Sequence, residues 1–135
     1  MQAGAKAVLG GSMPEGNGFF YPATVLTDVP RDAPVATDEI FGPVAPIIVV
    51  KDDDDALAVA NATEMGLTGY VYTRDLARGL RICEKLEVGM VGLNRGLVSD
   101  PAAPFGGVKE SGLGREGGFE GIEEYLETTY VATNW

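Results

Sequence analysis

The 135-residue sequence contains no histidine and a single cysteine, Cys83. Without an imidazole, no Ser-His-Asp or Cys-His pair can move a proton from nucleophile to base. Zinc sites built on histidine or on several cysteines are excluded as well. One thiol closes no internal disulfide, so nothing in the chain calls for an oxidising compartment. Basic residues are scarce: 10 Lys and Arg stand against 20 Asp and Glu, a net charge of -10. That balance opposes a phosphate backbone and an anionic membrane surface alike. Long apolar runs are missing too. The longest, Val44 to Val50, is interrupted by Pro46 and too short to span a bilayer. The start of the chain has no signal-peptide shape. The expectation is a cytoplasmic protein with neither nucleic acid nor membrane as partner.

What is present is a globular composition. The hydrophobic fraction of 45% is too high for a disordered chain. Glycine (19) and proline (8) are abundant and fall in patterned clusters, which predicts many ordered turns. Ala5 to Leu9 reads as a strand, and Phe19 to Leu26, with Pro22 inside it, as an edge strand. Val29 to Asp38 carries two prolines and reads as loop. Pro43 to Val50 is a β-branched run with both faces apolar, as in a covered strand.

A βαβαβ alternation follows. Asp53 to Met65 predicts a helix ended by Gly66, and Thr68 to Tyr72 a strand. Asp75 to Glu87 is the clearest helix, with Leu76, Leu80, Cys83 and Leu86 on one face and Gly89 after its end. Met90 to Leu93 predicts the next strand. Strands joined by helices imply right-handed crossovers, so the expected fold is α/β with a mainly parallel sheet. Residues 94–118 lack periodicity but hold Phe105, Val108, Leu113 and many glycines, the mark of a functional loop. Gly117 to Glu127 reads as a short helix with Phe119, Ile122 and Leu126 inward, and Tyr130 to Trp135 as a strand-like tail.

Three segments combine polar groups with glycine-rich backbone. In the first, Glu39 stands two residues from Phe41, just before an expected strand. A carboxylate can accept two hydrogen bonds from a ribose diol, and a nearby ring can wall in a flat heterocycle. The same residues also suit a loop acid beside a core phenylalanine. In the second, Arg95, Ser99 and Asp100 follow a strand's C-terminal end, where parallel α/β sheets place their ligand sites. Arg95 and Ser99 suit a carboxylate, and equally suit ordinary turn polarity. In the third, Pro104 to Glu116, the glycine spacing fits tight turns better than a phosphate loop. Asp52 to Asp55 suits a helix N-terminus, where negative charge offsets the dipole. No metal ligand set is expected, and Cys83 reads as an inert core residue.

Two of these segments, Glu39 to Val44 and Pro104 to Glu116, resemble signature stretches of the aldehyde dehydrogenase superfamily, in order and at a similar separation. Tyr72 to Asp75 and Gly89 to Asn94 fit as well. Gly92 to Asn94, Ser99 and Glu124 to Glu127 are most similar to succinate-semialdehyde dehydrogenases. In such enzymes a cysteine thiolate attacks the aldehyde, hydride passes to NAD or NADP, and a glutamate activates water to release the acid.

The resemblance implies roles residue by residue. Glu39 corresponds to the acid that binds the nicotinamide ribose hydroxyls, and Phe41 to the aromatic beside the nicotinamide. Phe105 corresponds to a lining residue of the substrate tunnel, and Ser99 to a residue that binds the substrate's far carboxylate. Arg95, where related enzymes often have an acid, would strengthen that grip. No catalytic residue is matched: the family's nucleophile, base and dinucleotide-binding domain lie before the matched region, and Cys83 is not the nucleophile. The expectation is therefore a C-terminal part of the catalytic domain (residues 1–127) with a tail (128–135) resembling the family's oligomerisation strand. Such a chain acts within a homo-oligomer on a small aldehyde, and alone it is inactive. The alternatives left open are a non-catalytic oligomerisation or interaction module on the same fold, and an acidic nucleotide-binding domain.

Overall fold

The computed structural model describes residues 4–135, so the first three residues of the expected 1–127 portion lie outside the described residues. The chain divides into two units, one running to Val59 and the other Ala60–Trp135.

In the first unit, β1 (Lys6–Leu9), β2 (Thr24–Thr27) and β3 (Val44–Pro46) form a three-stranded sheet in that order. β1 runs antiparallel to β2, and β2 parallel to β3, with Thr24 opposite Val44. Between β2 and β3 lies a one-turn helix, α1 (Pro34–Thr37), where a loop was expected. Proline at the first helical position costs no hydrogen bond there, which explains a helix in a proline-bearing segment. Val29, Ala33 and Leu57 are buried, as is the Thr24 side chain, whose hydroxyl donates to the Pro22 carbonyl and accepts from the Gly11 N–H.

α2 (Asp53–Asn61) begins in this unit and ends in the second. Its start is capped as the acidic run suggested. Asp52 accepts from the Asp55 N–H at 2.9 Å, while Asp55 reaches back to the Lys51 N–H at 2.9 Å, a relative of the capping box. The helix stops at Asn61, short of the expected Met65, and Gly66 lies in a strand.

The second unit carries the expected βαβ crossover. β5 (Thr68–Val71) and β6 (Met90–Leu93) are parallel, Thr68 opposite Met90, with α3 (Leu76–Lys85) between them. Asp75 caps α3 by accepting from the Arg78 N–H. The inward face of α3 differs from the expected one. Leu76 and Leu80 stay 65% and 50% exposed, whereas Gly79 is buried and Ile82, Cys83 and Leu86 are half-buried. A side chain at Gly79 would reach the Leu93 Cδ1 at 2.8 Å, so the closest approach of helix to sheet centres on the glycine. The apolar stripe therefore turns about one residue, and two leucines remain outside it.

The expectation of one mainly parallel sheet is corrected. Among the described residues there are three small sheets, and β4 (Met65–Gly66) pairs antiparallel with β7 (Val108–Lys109) in a sheet of its own. The Pro43 to Val50 run is not a covered strand: only Val44–Pro46 is strand, and Ile47, Val49 and Val50 are exposed. β3 is the edge strand of a three-stranded sheet, paired with β2 alone, and an apolar run is covered on two faces only where other elements pack over both. The Phe19 to Leu26 run narrows to Thr24–Thr27 and leaves Phe19 and Phe20 exposed. The C-terminal helix is a 3-10 segment, Glu120–Tyr125, with Phe119 92% exposed and Ile122 and Leu126 exposed, not inward. Residues 126–135 form no strand within the chain.

Solvent reaches 10660 Å² of this surface. Two separately compact globules of about 6 and 8 kDa would together expose only about 8100 Å². Large apolar side chains stand on that surface, with Phe19, Phe41, Leu113, Phe119 and Trp135 each more than 90% exposed.

Candidate functional site

The cofactor-side candidates lie in the first unit, on the loop from α1 to β3. Asp38 ends α1, its N–H donating to the Pro34 carbonyl at 2.8 Å and its carboxylate accepting from the Thr37 hydroxyl. Glu39 follows, exposed. Phe41 has φ 49°, a left-handed conformation uncommon for a bulky residue, and its ring is 93% exposed. The loop is fastened after that point, where the Thr24 N–H donates to the Pro43 carbonyl at 2.8 Å and opens the β2–β3 ladder. The backbone thus turns the ring outward next to a free carboxylate.

The substrate-side candidates lie in the second unit, beyond the carboxyl ends of β5 and β6. Asn94 closes β6. Its N–H donates to the Val71 carbonyl, its side-chain amide donates to the Thr73 carbonyl at 2.8 Å, and its amide oxygen accepts from the Thr73 N–H at 2.9 Å. Arg95 and Ser99 follow on one exposed stretch. The Asp100 carboxylate accepts from the Ala102 N–H, so this acid is engaged in its own turn.

Phe105 sits on a bridge with Glu116, its N–H donating at 2.6 Å and its carbonyl accepting at 2.8 Å, with its side chain 37% exposed. The hairpin between them is laced to the unit. Lys109, at φ 54°, sends its ammonium to the Asn61 carbonyl (2.9 Å), the Thr63 carbonyl (3.0 Å) and the Glu87 carboxylate (2.6 Å). The Ser111 hydroxyl accepts from the Gly66 N–H, and the Arg115 guanidinium donates to the Gly107 and Gly114 carbonyls.

Glu39 and Phe41 therefore share one loop of the first unit, while Arg95, Ser99 and Phe105 share one segment of the second. Sequence reasoning placed Asn94 and Lys109 within candidate segments but gave neither a role of its own. The signal for Asn94 was its place at a strand end, between Gly92 and Gly96, since asparagine adopts left-handed backbone more readily than most residues. The signal for Lys109 was a long cation placed among the glycines of the hairpin. Cys83 is half-buried on α3. No group of three or more carboxylates or thiols is placed to hold a metal ion among the described residues. No helix among them is long and apolar enough to cross a membrane.

A model of the aldehyde dehydrogenase family matches residues 1–131. The chain belongs to the aldehyde dehydrogenase family. It is 56% identical to a succinate-semialdehyde dehydrogenase of Paenarthrobacter nicotinovorans, over 97% of this chain and 29% of that protein. It is 54% identical to a glutarate-semialdehyde dehydrogenase of Pseudomonas aeruginosa, over 95% of this chain and 26% of that protein. A crystal structure of an E. coli NADP-dependent enzyme superposes with a TM-score of 0.89 at 52% identity, over 93% of this chain and 26% of the other. The chain thus spans between 26% and 29% of the length of these aldehyde dehydrogenase relatives.

Proposed function

We propose that this chain is the C-terminal part of the catalytic domain of an NAD(P)-dependent aldehyde dehydrogenase whose substrate carries a second, carboxylate end, as succinate semialdehyde does. The observation that carries the reading is the exposed Arg95–Ser99 stretch beyond the carboxyl ends of the parallel pair β5–β6. Parallel sheets bind ligands there, and a guanidinium with a hydroxyl four residues on supplies charge-assisted donors for a carboxylate. Two relatives named for dicarboxylic semialdehydes support the same chemistry. Phe105, on the neighbouring hairpin, adds an apolar wall.

Glu39 and Phe41 suit a nicotinamide nucleotide. A free carboxylate fits a ribose diol, and a ring held out by left-handed backbone fits the face of a flat heterocycle. The nucleotide would supply the hydride acceptor. NAD and NADP both meet these two contacts. The apolar surface left open, Phe19, Phe20, Leu113 and Phe119 among it, suits burial against further polypeptide of the same enzyme and its neighbouring subunits. The 128–135 tail takes part there as an added strand in a homo-oligomer.

No residue of the chain is assigned the thioester chemistry, since the only thiol is the half-buried Cys83. The purified 135-residue chain is therefore expected to form no NADH or NADPH from aldehyde; aldehyde-dependent absorbance at 340 nm (roughly the reduced nicotinamide band) would overturn that. The substrate reading is tested in an enzyme whose matching segment, in the Paenarthrobacter protein, is replaced by residues 1–131 of this chain. Arg95→Ala should raise KM for succinate semialdehyde about tenfold while barely moving KM for an uncharged aldehyde. Equal effects on both substrates would remove the carboxylate role.

A further inference from the structure

We propose that Asn94 is a positioning residue for the carboxylate-binding stretch, its side-chain amide standing in for the next rung of the β5–β6 ladder. The inference rests on the Arg95–Ser99 reading and adds what holds that stretch in place. The ladder pairs Val71 with Leu93, and the Asn94 N–H still donates to the Val71 carbonyl at 2.8 Å. At Asn94 the backbone turns to φ 55° and leaves the sheet plane. The Thr73 N–H and carbonyl, just past the end of β5, would then lose their partner. Instead the carboxamide of Asn94 presents one acceptor and one donor, as a peptide does, and takes both the Thr73 N–H and the Thr73 carbonyl.

Two requirements meet at this one position. The residue must tolerate left-handed backbone, and its side chain must both donate and accept at short range. Asparagine does both; aspartate accepts only, and glycine does neither with a side chain. The clamp also reaches α3. The Thr73 hydroxyl accepts from the Asp75 N–H at 3.1 Å, and Asp75 caps the helix. Arg95 is the next residue after Asn94, so the clamp fixes the point from which the exposed stretch departs. If the Thr73 peptide and the Asn94 turn come apart, Arg95 and Ser99 lose their common anchor, and the carboxylate site loses its preorganisation.

The test uses Asn94→Gly, which keeps the turn and deletes the amide, and Asn94→Asp, which keeps the acceptor and deletes the donor. In the full 135-residue chain, the Thr73 amide should exchange with solvent about tenfold faster in Asn94→Gly, and less so in Asn94→Asp. In the hybrid enzyme described above, Asn94→Gly should raise KM for succinate semialdehyde about tenfold with kcat and the KM of an uncharged aldehyde nearly unchanged. Asn94→Asp should fall between it and the parent. A loss of thermal stability with no change in the ratio of the two KM values would overturn the inference, because a merely structural residue gives that pattern. If Arg95→Ala discriminates between the substrates and neither Asn94 variant does, the inference alone fails. If Arg95→Ala does not discriminate, the carboxylate reading fails and the inference with it.

Discussion

The two loops that carry the site candidates are built on opposite principles. Among the described residues the 38–43 loop is fastened at its ends, by the α1 cap and by the Val44–Gly42 and Thr24–Pro43 hydrogen bonds, and leaves Glu39 and Phe41 in solvent between them. The 94–116 segment is fastened at its start and again through its hairpin by side chains that reach distant backbone, Asn94 to Thr73, Lys109 to Asn61 and Thr63, and Ser111 to Gly66, with Arg95 and Ser99 exposed between these ties. An open loop offers its groups to a ligand that arrives as a separate molecule. A laced loop holds groups where a small substrate must find them already in place, since such a substrate contributes little binding energy to order them.

Packing density separates the two most sharply, and one glycine tests it. A side chain at Gly89 would collide with the Gly106 carbonyl oxygen and come within 2.8 Å of the Gly107 Cα, both backbone atoms that cannot rotate away. Gly89→Ala should therefore destabilise the second unit by about 3 kcal/mol or prevent its folding, as over-packing against rigid neighbours does. Gly42→Ala, whose new methyl in the open loop would meet only Ile40 atoms at 3.8 Å, is the matched control and should be close to neutral. Chemical denaturation of both variants decides it; equal stability would mean that the laced segment yields as readily as the open loop.

Lys109 and Phe41 make a closer comparison, because both are bulky residues at nearly the same positive φ, 54° and 49°. Glycine removes the backbone strain at either position. At Lys109 it also removes an ammonium that binds two carbonyls and the Glu87 carboxylate. Lys109→Gly should thus destabilise by about 1 kcal/mol net, lost hydrogen bonds exceeding relieved strain. At Phe41 the ring is almost wholly in solvent, so Phe41→Gly should stabilise the chain by about 0.5 kcal/mol. Thermal melts read both. The same sign for the two variants would show that strain in the open loop is not held for a ligand.

Much of this organisation was legible in the sequence, and the exceptions have physical causes. The β5–α3–β6 crossover follows from local patterning, because an N-cap aspartate, a ten-residue helix and a strand after Gly89 need no distant partner to be recognised. The covered strand at Pro43 to Val50 was not legible, because apolar content reports what a face would bury and not what stands beside it. Phe119, Ile122 and Leu126 misled in the same way. Ile122 lies in the 3-10 segment and Phe119 and Leu126 flank it, yet the described residues leave all three exposed. Glu39, Phe41, Arg95, Ser99 and Phe105 were named from motifs, whereas Asn94 was visible only once its amide was seen against the Thr73 peptide, a contact across 21 positions of chain.

The first unit's own tie is of a third kind, and it responds to acid. The Arg31 guanidinium binds both oxygens of Asp55, at 2.8 and 2.7 Å, and joins the loop before α1 to the start of α2. That hydrogen-bonded pair, helped by the Lys51 N–H, lowers the Asp55 pKa from 3.8 to about 2. A carboxylate with a depressed folded-state pKa stabilises the fold above its unfolded value and loses that contribution as pH falls toward the folded one. Parent and Asp55→Asn chains should therefore differ in stability above pH 3.8, and the gap should close as the pH falls through about 2. The effect should be small and shrink in high salt, because the Arg31 side of the pair stands in solvent. The Asn94 clamp is made of neutral groups and should show no such window. A gap that persists unchanged to pH 2 would mean that the pair in the first unit is held by packing, and would erase this last difference between the two ways of fastening a loop.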